Sequence, residues 1–237
     1  MNSVIKPLGD QGIRVELGNV ISPLINQRVH QLVEAVESSK WNGVFEAVPA
    51  YTTVTVYYNP LIISYELLKK RLREKAQQLL SSVAIKRRKV ILPVFYGGDF
   101  GPDLEYIAKH HSISEEDVIR FHTEPNYITY MIGFSPGFPY LGGMVDKLTT
   151  PRKKNPRAMV KAGSVGIAGS QTGVYSVDSP GGWQIIGRTP VPLFQPKEET
   201  PTLFKAGDLI TFQSISKKEF EEISLQCKNG TYEAAVL

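Results

Sequence analysis

The segment from Gly163 to Gly187 reads GSVGIAGSQTGVYSVDSPGGWQIIG and decides the fold class of the second half of the chain. It is too rich in glycine for an amphipathic helix to form there. Short apolar runs separated by glycine and proline turns are typical of the many short strands of a β-barrel or sandwich. We therefore expect a mainly-β C-terminal domain.

The sequence around this segment completes a domain that we assign to residues 86–237. Ser114 and Asp117 have the spacing of a helix-capping pair, which marks the start of one of the helices. The pattern predicts strands and short helices at Val90–Tyr96, Asp103–His111, Ser114–Thr123, Asp208–Phe212 and Lys217–Ile223.

Residues 1–85 have the pattern of a separate α+β domain. Ile13–Leu17 alternates with period two and predicts a strand, and Ser22-Pro23 is a helix start signal. A strand pair follows over about 45–58, and Ser64 caps a second helix. Strand, helix, two strands and helix make up most of a ferredoxin-like sandwich.

Composition excludes several classes of protein. Hydrophobic residues are 42% and charged residues 21% of 237, as in ordinary globular chains. No apolar run approaches the length of a membrane helix, and a single cysteine, Cys227, fits a reducing compartment. The four cations Lys86–Lys89 lack interleaved aromatic residues. We expect a cytoplasmic protein that binds neither membrane nor nucleic acid.

Three familiar catalytic or binding motifs do not fit the sequence. Gly133–Gly137 matches G-x-S-x-G, but Pro136 disfavours the helix that a nucleophile elbow needs, and every histidine precedes Ser135. The histidines and the cysteine lack metal-ligand spacing, so we predict no metal site. The glycine-rich segment lacks the G-K-[ST] ending of a phosphate-binding loop.

Two segments rich in Gly, Pro and aromatic residues remain, and they predict a shaped groove. The alternative is that these aromatic residues only fill a small barrel core. Lys147–Val177 contains no carboxylate, which favours anionic ligands. The candidate groove residues are Phe134, Pro136, Phe138, Tyr140, Tyr175 and Trp183; the candidate substrate or anion contacts are Arg152, Arg157, Gly166, Gly169, Gln171 and Arg188.

These segments resemble a known family over nearly every position of Gly133–Gly142 and Pro151–Pro190. It includes the B component of the bacterial ATP-dependent 5-oxoprolinase, the subunit-1 domain of allophanate hydrolase and the Kip inhibitors of a sporulation sensor histidine kinase. The resemblance is nearest to the Kip inhibitors. The sequence departs from the family pattern at Lys161 and Ser176, beside the expected groove.

The resemblance implies a cyclophilin-like barrel in a protein that is inactive alone. A sister cyclophilin-like subunit and a third subunit would complete an ATP-consuming hydrolysis of 5-oxo-L-proline to L-glutamate. The resemblance also implies inhibition of autophosphorylation of a sensor histidine kinase. Asp178 is the one nearby candidate for a general base. We assign no catalytic residues from the sequence.

Two alternatives stay open beside the oxoprolinase role. In the first, the chain is purely a protein-binding antikinase whose aromatic groove holds a segment of the kinase. In the second, it is an autonomous prolyl isomerase, which would follow from the fold alone. Fold by itself does not confer function.

Overall fold

The computed structural model describes residues 3–79 and 87–237. The chain divides between Lys86 and Arg87 into two compact units. The boundary that the sequence predicts, between residues 85 and 86, lies outside the described residues.

The first unit is a four-stranded antiparallel sheet with two helices on one face. Its strands stand in the order β1-β2-β4-β3, and its core joins strand residues such as Val15 and Val54 to Leu32 and Leu68 of the helices. The elements are β1 (Val4–Leu8), β2 (Gly12–Glu16), α1 (Pro23–Ser39), β3 (Val44–Pro49), β4 (Thr53–Tyr58) and α2 (Tyr65–Gln78).

The α+β class of this unit agrees with the prediction, whereas the ferredoxin-like assignment stays a prediction. A ferredoxin-like sandwich needs a fourth strand beside β2, supplied after the second helix. Here β1 pairs with β2 at that edge. The sequence pattern missed β1 because Pro7 interrupts it, and an edge strand tolerates proline.

Serine caps begin the helices where the sequence places them. The Ser22 and Ser64 side chains accept hydrogen bonds from the amides of Ile25 and Leu67 at 3.2 and 3.3 Å. In the second unit, Ser114 accepts from the Asp117 amide at 3.0 Å. Each cap satisfies one of the amide groups that a helix start leaves without a partner.

The second unit contains a closed barrel of seven strands in the order β10-β7-β6-β13-β5-β12-β9. The strands β8 and β11 pair with each other in a separate two-stranded ribbon. The elements are β5 (Lys89–Tyr96), α3 (Leu104–His111), α4 (Glu115–Thr123), β6 (Tyr127–Ile132), β7 (Pro139–Gly142), β8 (Arg157–Val160), β9 (Ser164–Ala168), β10 (Gln171–Val174), β11 (Ser179–Gly181), β12 (Gln184–Arg188), β13 (Leu209–Ser214) and α5 (Lys217–Lys228).

The glycine-rich segment supplies the barrel strands β9, β10 and β12, so the barrel prediction is confirmed. A Cβ on Gly187 would lie 2.7 Å from the Phe95 carbonyl oxygen of the neighbouring strand. Glycine therefore lets β12 approach β5 closely, at the point where the register of β12 against β9 shifts. The cyclophilin-like identity of the barrel stays a prediction.

Two arginines directly before β5, Arg87 and Arg88, are bonded to the barrel unit. Arg87 donates to the Gly207 carbonyl oxygen at 2.8 Å. The Arg88 Nε donates to Asp208 at 3.1 Å, and its Nη2 contacts both Asp208 and the Leu203 carbonyl oxygen. These contacts give both arginines a structural explanation.

Candidate functional site

An aromatic cavity of about 320 Å³ lies beside the barrel, within the range of small-ligand pockets. We call it the aromatic cavity. It is formed by the loop before β7, the loop before β8, the end of β10 and the turn between β11 and β12. Its walls are Phe134, Phe138, Tyr140, Arg152, Pro156, Tyr175, Pro180, Gly181, Gly182 and Trp183.

Phe138 is the centre of the aromatic walls. Its ring lies 5.1 Å from that of Tyr140, 5.7 Å from that of Tyr175 and 5.6 Å from that of Trp183, each in an edge-to-face arrangement. Phe134 meets it from the mouth at 5.6 Å. Edge-to-face pairs are a favourable geometry for aromatic rings, so these contacts stabilise the arrangement of the walls.

The sequence leaves two roles open for these aromatic residues, groove wall and core filling, and the structure shows a part of each. Phe138, Tyr175 and Trp183 are buried, but they form a cluster of their own beside the main barrel core. Each also lines the aromatic cavity. Five of the six predicted groove residues therefore come together, while Pro136 is exposed in the adjacent loop.

The loop between β6 and β7 holds Phe134 in an unusual backbone conformation. Its φ of 67° is left-handed, which is strained for a bulky side chain, and 69% of the residue is exposed. Strain of this kind collects at ligand sites and switches. The Ser135 and Ser176 hydroxyl oxygens lie 3.1 Å apart and connect this loop to the one after β10. Strand β7, rather than the helix of a nucleophile elbow, follows Ser135.

The Tyr175 hydroxyl lies at the cavity wall against Gly181. A Cβ on Gly181 would be 2.2 Å from this oxygen, so only glycine leaves room for it. Burial raises the pKa of Tyr175, opposed in part by a hydrogen bond from the Trp183 amide and by the charges of Arg152 and Arg157. Tyr175 therefore stays protonated at neutral pH and offers a hydroxyl group.

The three predicted arginine contacts do not lie together. Arg152 lies at the rim of the aromatic cavity, with its guanidinium 5.9 Å from the Trp183 ring centre. Arg157 donates from Nη2 to both carboxylate oxygens of Asp103, at 2.8 and 2.7 Å, and from Nη1 to the Trp183 carbonyl oxygen at 3.2 Å. Arg157 is thus committed to Asp103, and Arg152 is the cation that lines the aromatic cavity.

Asp103 is a buried carboxylate that sequence reasoning missed. Besides Arg157, it accepts from the Lys153 ammonium at 3.0 Å and from the Ile185 amide at 2.7 Å. Its sequence position indicates only the start of a helix. The carboxylate-free stretch around Lys153 and Arg157 is the signal that could have found it, because buried cations need a carboxylate from elsewhere in the chain.

Arg188 lies in a second cleft, of about 160 Å³, with Arg157 and Lys161 among its lining residues. Its Nε donates to the Ala162 carbonyl oxygen at 2.9 Å, and its guanidinium lies 5.7 Å from the Phe100 ring centre. Lys161 pairs with Asp178 at 2.8 Å. This hydrogen bond and that from the Ala162 amide lower the pKa of Asp178, which makes it a weak general base.

Gly166, Gly169 and Gln171 lie on the β9–β10 hairpin and line neither cleft. The Gly166 carbonyl oxygen accepts from the Thr172 hydroxyl at 3.0 Å inside the barrel. Gly169 forms the turn, with a φ of 59°, and its amide donates to the Thr150 carbonyl oxygen at 2.7 Å. Gln171 pairs with Ala168 across the hairpin.

Metal-ligand clusters and membrane-spanning helices are both absent from the described residues. Across 3–79 and 87–237, no three His, Cys, Asp or Glu side chains come together as metal ligands would. Within those ranges, each helix is too short or too polar to cross a membrane.

The sequence matches one protein family over most of its length. Residues 3–204 match the family described as the carboxyltransferase domain, subdomain C and D, and the chain belongs to this family. It is 44% identical over 226 residues to the B component of 5-oxoprolinase from Bacillus subtilis, covering 91% of this chain and 94% of that one. The corresponding 5-oxoprolinase component of Escherichia coli is 37% identical, covering 90% and 95%.

Solved structures share the fold. The protein TTHA0988 superposes with a TM-score of 0.77 at 36% identity over 87% of this chain. The match spans only 40% of the length of TTHA0988. The urea amidolyase of Kluyveromyces lactis superposes with a TM-score of 0.79 at 21% identity, over 99% of this chain and 16% of that one, which shows the fold alone.

Proposed function

We propose that this chain is the B component of a 5-oxoprolinase complex that converts 5-oxo-L-proline, ATP and water to L-glutamate, ADP and phosphate. The observation that carries the proposal is the aromatic cavity with Arg152 at its rim, in a chain that matches 94% of the Bacillus subtilis B component. Aromatic walls and one guanidinium suit a small cyclic carboxylate.

The remaining parts of the proposal follow from the same kinship. A sister subunit with a cyclophilin-like barrel and a third subunit complete the site, and ATP is bound by the complex. Because Asp178 is a weak general base, we propose that a partner subunit supplies the base. Arg188 is proposed as the anion contact of the second cleft, beside Arg157, which Asp103 holds. The complex acts in the cytoplasm.

Reconstitution tests this function. The purified chain is combined with the two partner subunits, and ADP release is measured with and without 5-oxo-L-proline. We expect lactam-dependent ADP and glutamate formation only when all three subunits are present. Equal activity without this chain, or ATP use that ignores the lactam, would contradict the proposal.

Inhibition of a sensor histidine kinase is the second candidate function. The observation that favours it is Phe134, an aromatic side chain that is 69% exposed at the mouth of the aromatic cavity. Exposed aromatic residues beside a groove are typical anchors for a partner.

Phe134→Ala tests this candidate, with Phe45→Ala as the matched control. Phe45 is 66% exposed but belongs to the first unit. We expect Phe134→Ala to weaken inhibition of kinase autophosphorylation by about 2 kcal/mol, the size of an interface hot spot. Phe45→Ala should inhibit as the unchanged chain does. Full inhibition by Phe134→Ala would remove this surface as the kinase contact.

A further inference from the structure

The aromatic cavity contains one available positive charge. Among the described residues, no carboxylate pairs with Arg152. Arg157 is the next arginine in the sequence, but both oxygens of Asp103 hold it, and Arg188 lines the second cleft. A ligand in the aromatic cavity can therefore place one anionic group against a guanidinium. A second anionic group would lie against aromatic rings.

The polar groups on the walls are few and lie near the ring surfaces. The Tyr175 hydroxyl accepts from the Trp183 amide and keeps its own proton to donate. The Gly182 carbonyl oxygen already accepts from the Lys153 amide at 2.7 Å. Neither Asp nor Glu is among the lining residues, so an ammonium group would find no carboxylate there. Burying a charged group without a partner is costly.

The substrate and the product of the proposed reaction differ in the number of charged groups, which is the property that these walls would detect. Hydrolysis adds water across the lactam bond and turns a neutral ring amide into a carboxylate and an ammonium group. 5-oxo-L-proline has one charge and a compact ring, whereas L-glutamate has three charges on an open chain.

We propose that the aromatic cavity distinguishes the cyclic monocarboxylate from its hydrolysed product, so that this chain alone binds the lactam and releases glutamate. The inference rests on the proposed function and deepens it. Arg152 holds the single carboxylate of the lactam, the Tyr175 hydroxyl bonds the ring amide, and Phe138 and Trp183 pack on the ring. Opening the ring places two new charges against these walls and lowers affinity.

Titration calorimetry on the full chain tests the inference with three ligands. We expect 5-oxo-L-proline to bind at least about tenfold more tightly than L-glutamate, the value of one unmet charge-assisted hydrogen bond. The neutral lactam 2-pyrrolidinone, which lacks the carboxylate, should bind more weakly than 5-oxo-L-proline by a similar factor. Equal affinity for lactam and glutamate, or for the two lactams, would overturn the inference.

A pair of variants tests the role of Arg152. Arg152→Gln should lose about tenfold in affinity for 5-oxo-L-proline. Arg71→Gln is the matched control, because the Arg71 guanidinium lies 5.6 Å from the Trp41 ring centre in the first unit. It should bind as the unchanged chain does. Unaltered binding by Arg152→Gln, with folding verified by circular dichroism, would overturn the assignment.

The outcome is separable from that of the proposed function. If the chain fails to bind the lactam while the reconstituted complex hydrolyses it, the inference is wrong and the proposed function stands. If the chain binds the lactam but the complex shows no lactam-dependent ADP release, the proposed oxoprolinase function is wrong.

Discussion

Two arginines that lie close together in the sequence have different surroundings in the structure. Arg152 and Arg157 are five positions apart, yet one faces the aromatic cavity and the other forms a bidentate pair with Asp103. From sequence, both have the same expected role as anion contacts. Which cation is available depends on a carboxylate about fifty positions earlier in the chain, and local pattern does not contain that information.

His122 is a second residue whose role depends on distant partners. It is fully buried, with Nδ1 2.8 Å from the Tyr96 hydroxyl and Nε2 2.8 Å from the Thr172 hydroxyl. Thr172 donates its proton to the Gly166 carbonyl oxygen, so it accepts from His122. The ring is therefore neutral, with its proton on Nε2, and Tyr96 donates to Nδ1.

Burial lowers the pKa of His122 to about 3, from an ordinary value of 6.5. The unfolded chain therefore takes up a proton that the folded chain excludes, and stability falls as pH falls from about 6.5 toward 3. We expect the titration of His122 to lower the free energy of unfolding by about 2 kcal/mol between pH 7 and pH 5. Denaturant titrations at several pH values, followed by Trp183 fluorescence in a Trp41→Phe background, measure it.

His122→Gln is the comparison for this prediction. Its amide can accept from Tyr96 and donate to Thr172, as the neutral imidazole does. The variant should lose the part of the pH dependence that belongs to His122 while keeping contributions from His111, whose pKa is also lowered by burial. Identical pH dependence in both proteins would contradict the assignment.

At the element scale, Asp103 connects the start of α3 with β8 and β12. Its partners are Arg157 at the start of β8 and the Ile185 amide in β12. We expect Asp103→Asn to cost about 3 kcal/mol of unfolding free energy, because it leaves a largely buried guanidinium without its carboxylate. Chemical denaturation measures this cost.

Two further variants test whether the lost stability comes from the pairing of Asp103 with Arg157. Glu105→Gln removes an exposed ion pair with Lys109 in the same helix and should leave the free energy of unfolding nearly unchanged. Asp103→Asn combined with Arg157→Gln should cost clearly less than the sum of the two single changes. Additive costs would show that the two side chains do not act as a pair.

Elements that depend on local signals were predictable, and those that depend on long-range pairing were not. Serine caps and apolar periodicity placed α1, α2 and α4 correctly. The β8–β11 ribbon joins Val160 to Ser179, and no local pattern specifies that pair. The same reason explains the site: the aromatic residues were identifiable by composition, whereas the division of the arginines between two clefts was not.

At the scale of the whole molecule, the lining residues of the aromatic cavity all belong to the second unit. This unit also has its own apolar core, built from residues such as Leu92 and Ile186. We expect residues 87–237, expressed alone, to keep the barrel fold and to bind 5-oxo-L-proline as the full chain does. Circular dichroism and calorimetry test this, and an unfolded or non-binding fragment would contradict it.

The pairing of the last residue with β5 has a consequence for gene architecture. The amide of Leu237 donates to the Lys89 carbonyl oxygen at 2.8 Å, and the Lys89 amide donates in return at 2.9 Å. Lys89 and Leu237 are therefore neighbours, and neighbouring chain ends are typical of domains that tolerate insertion into other chains. Such a unit can be spliced into a larger polypeptide with two short junctions at one place, so a single scaffold can serve stand-alone and multidomain proteins.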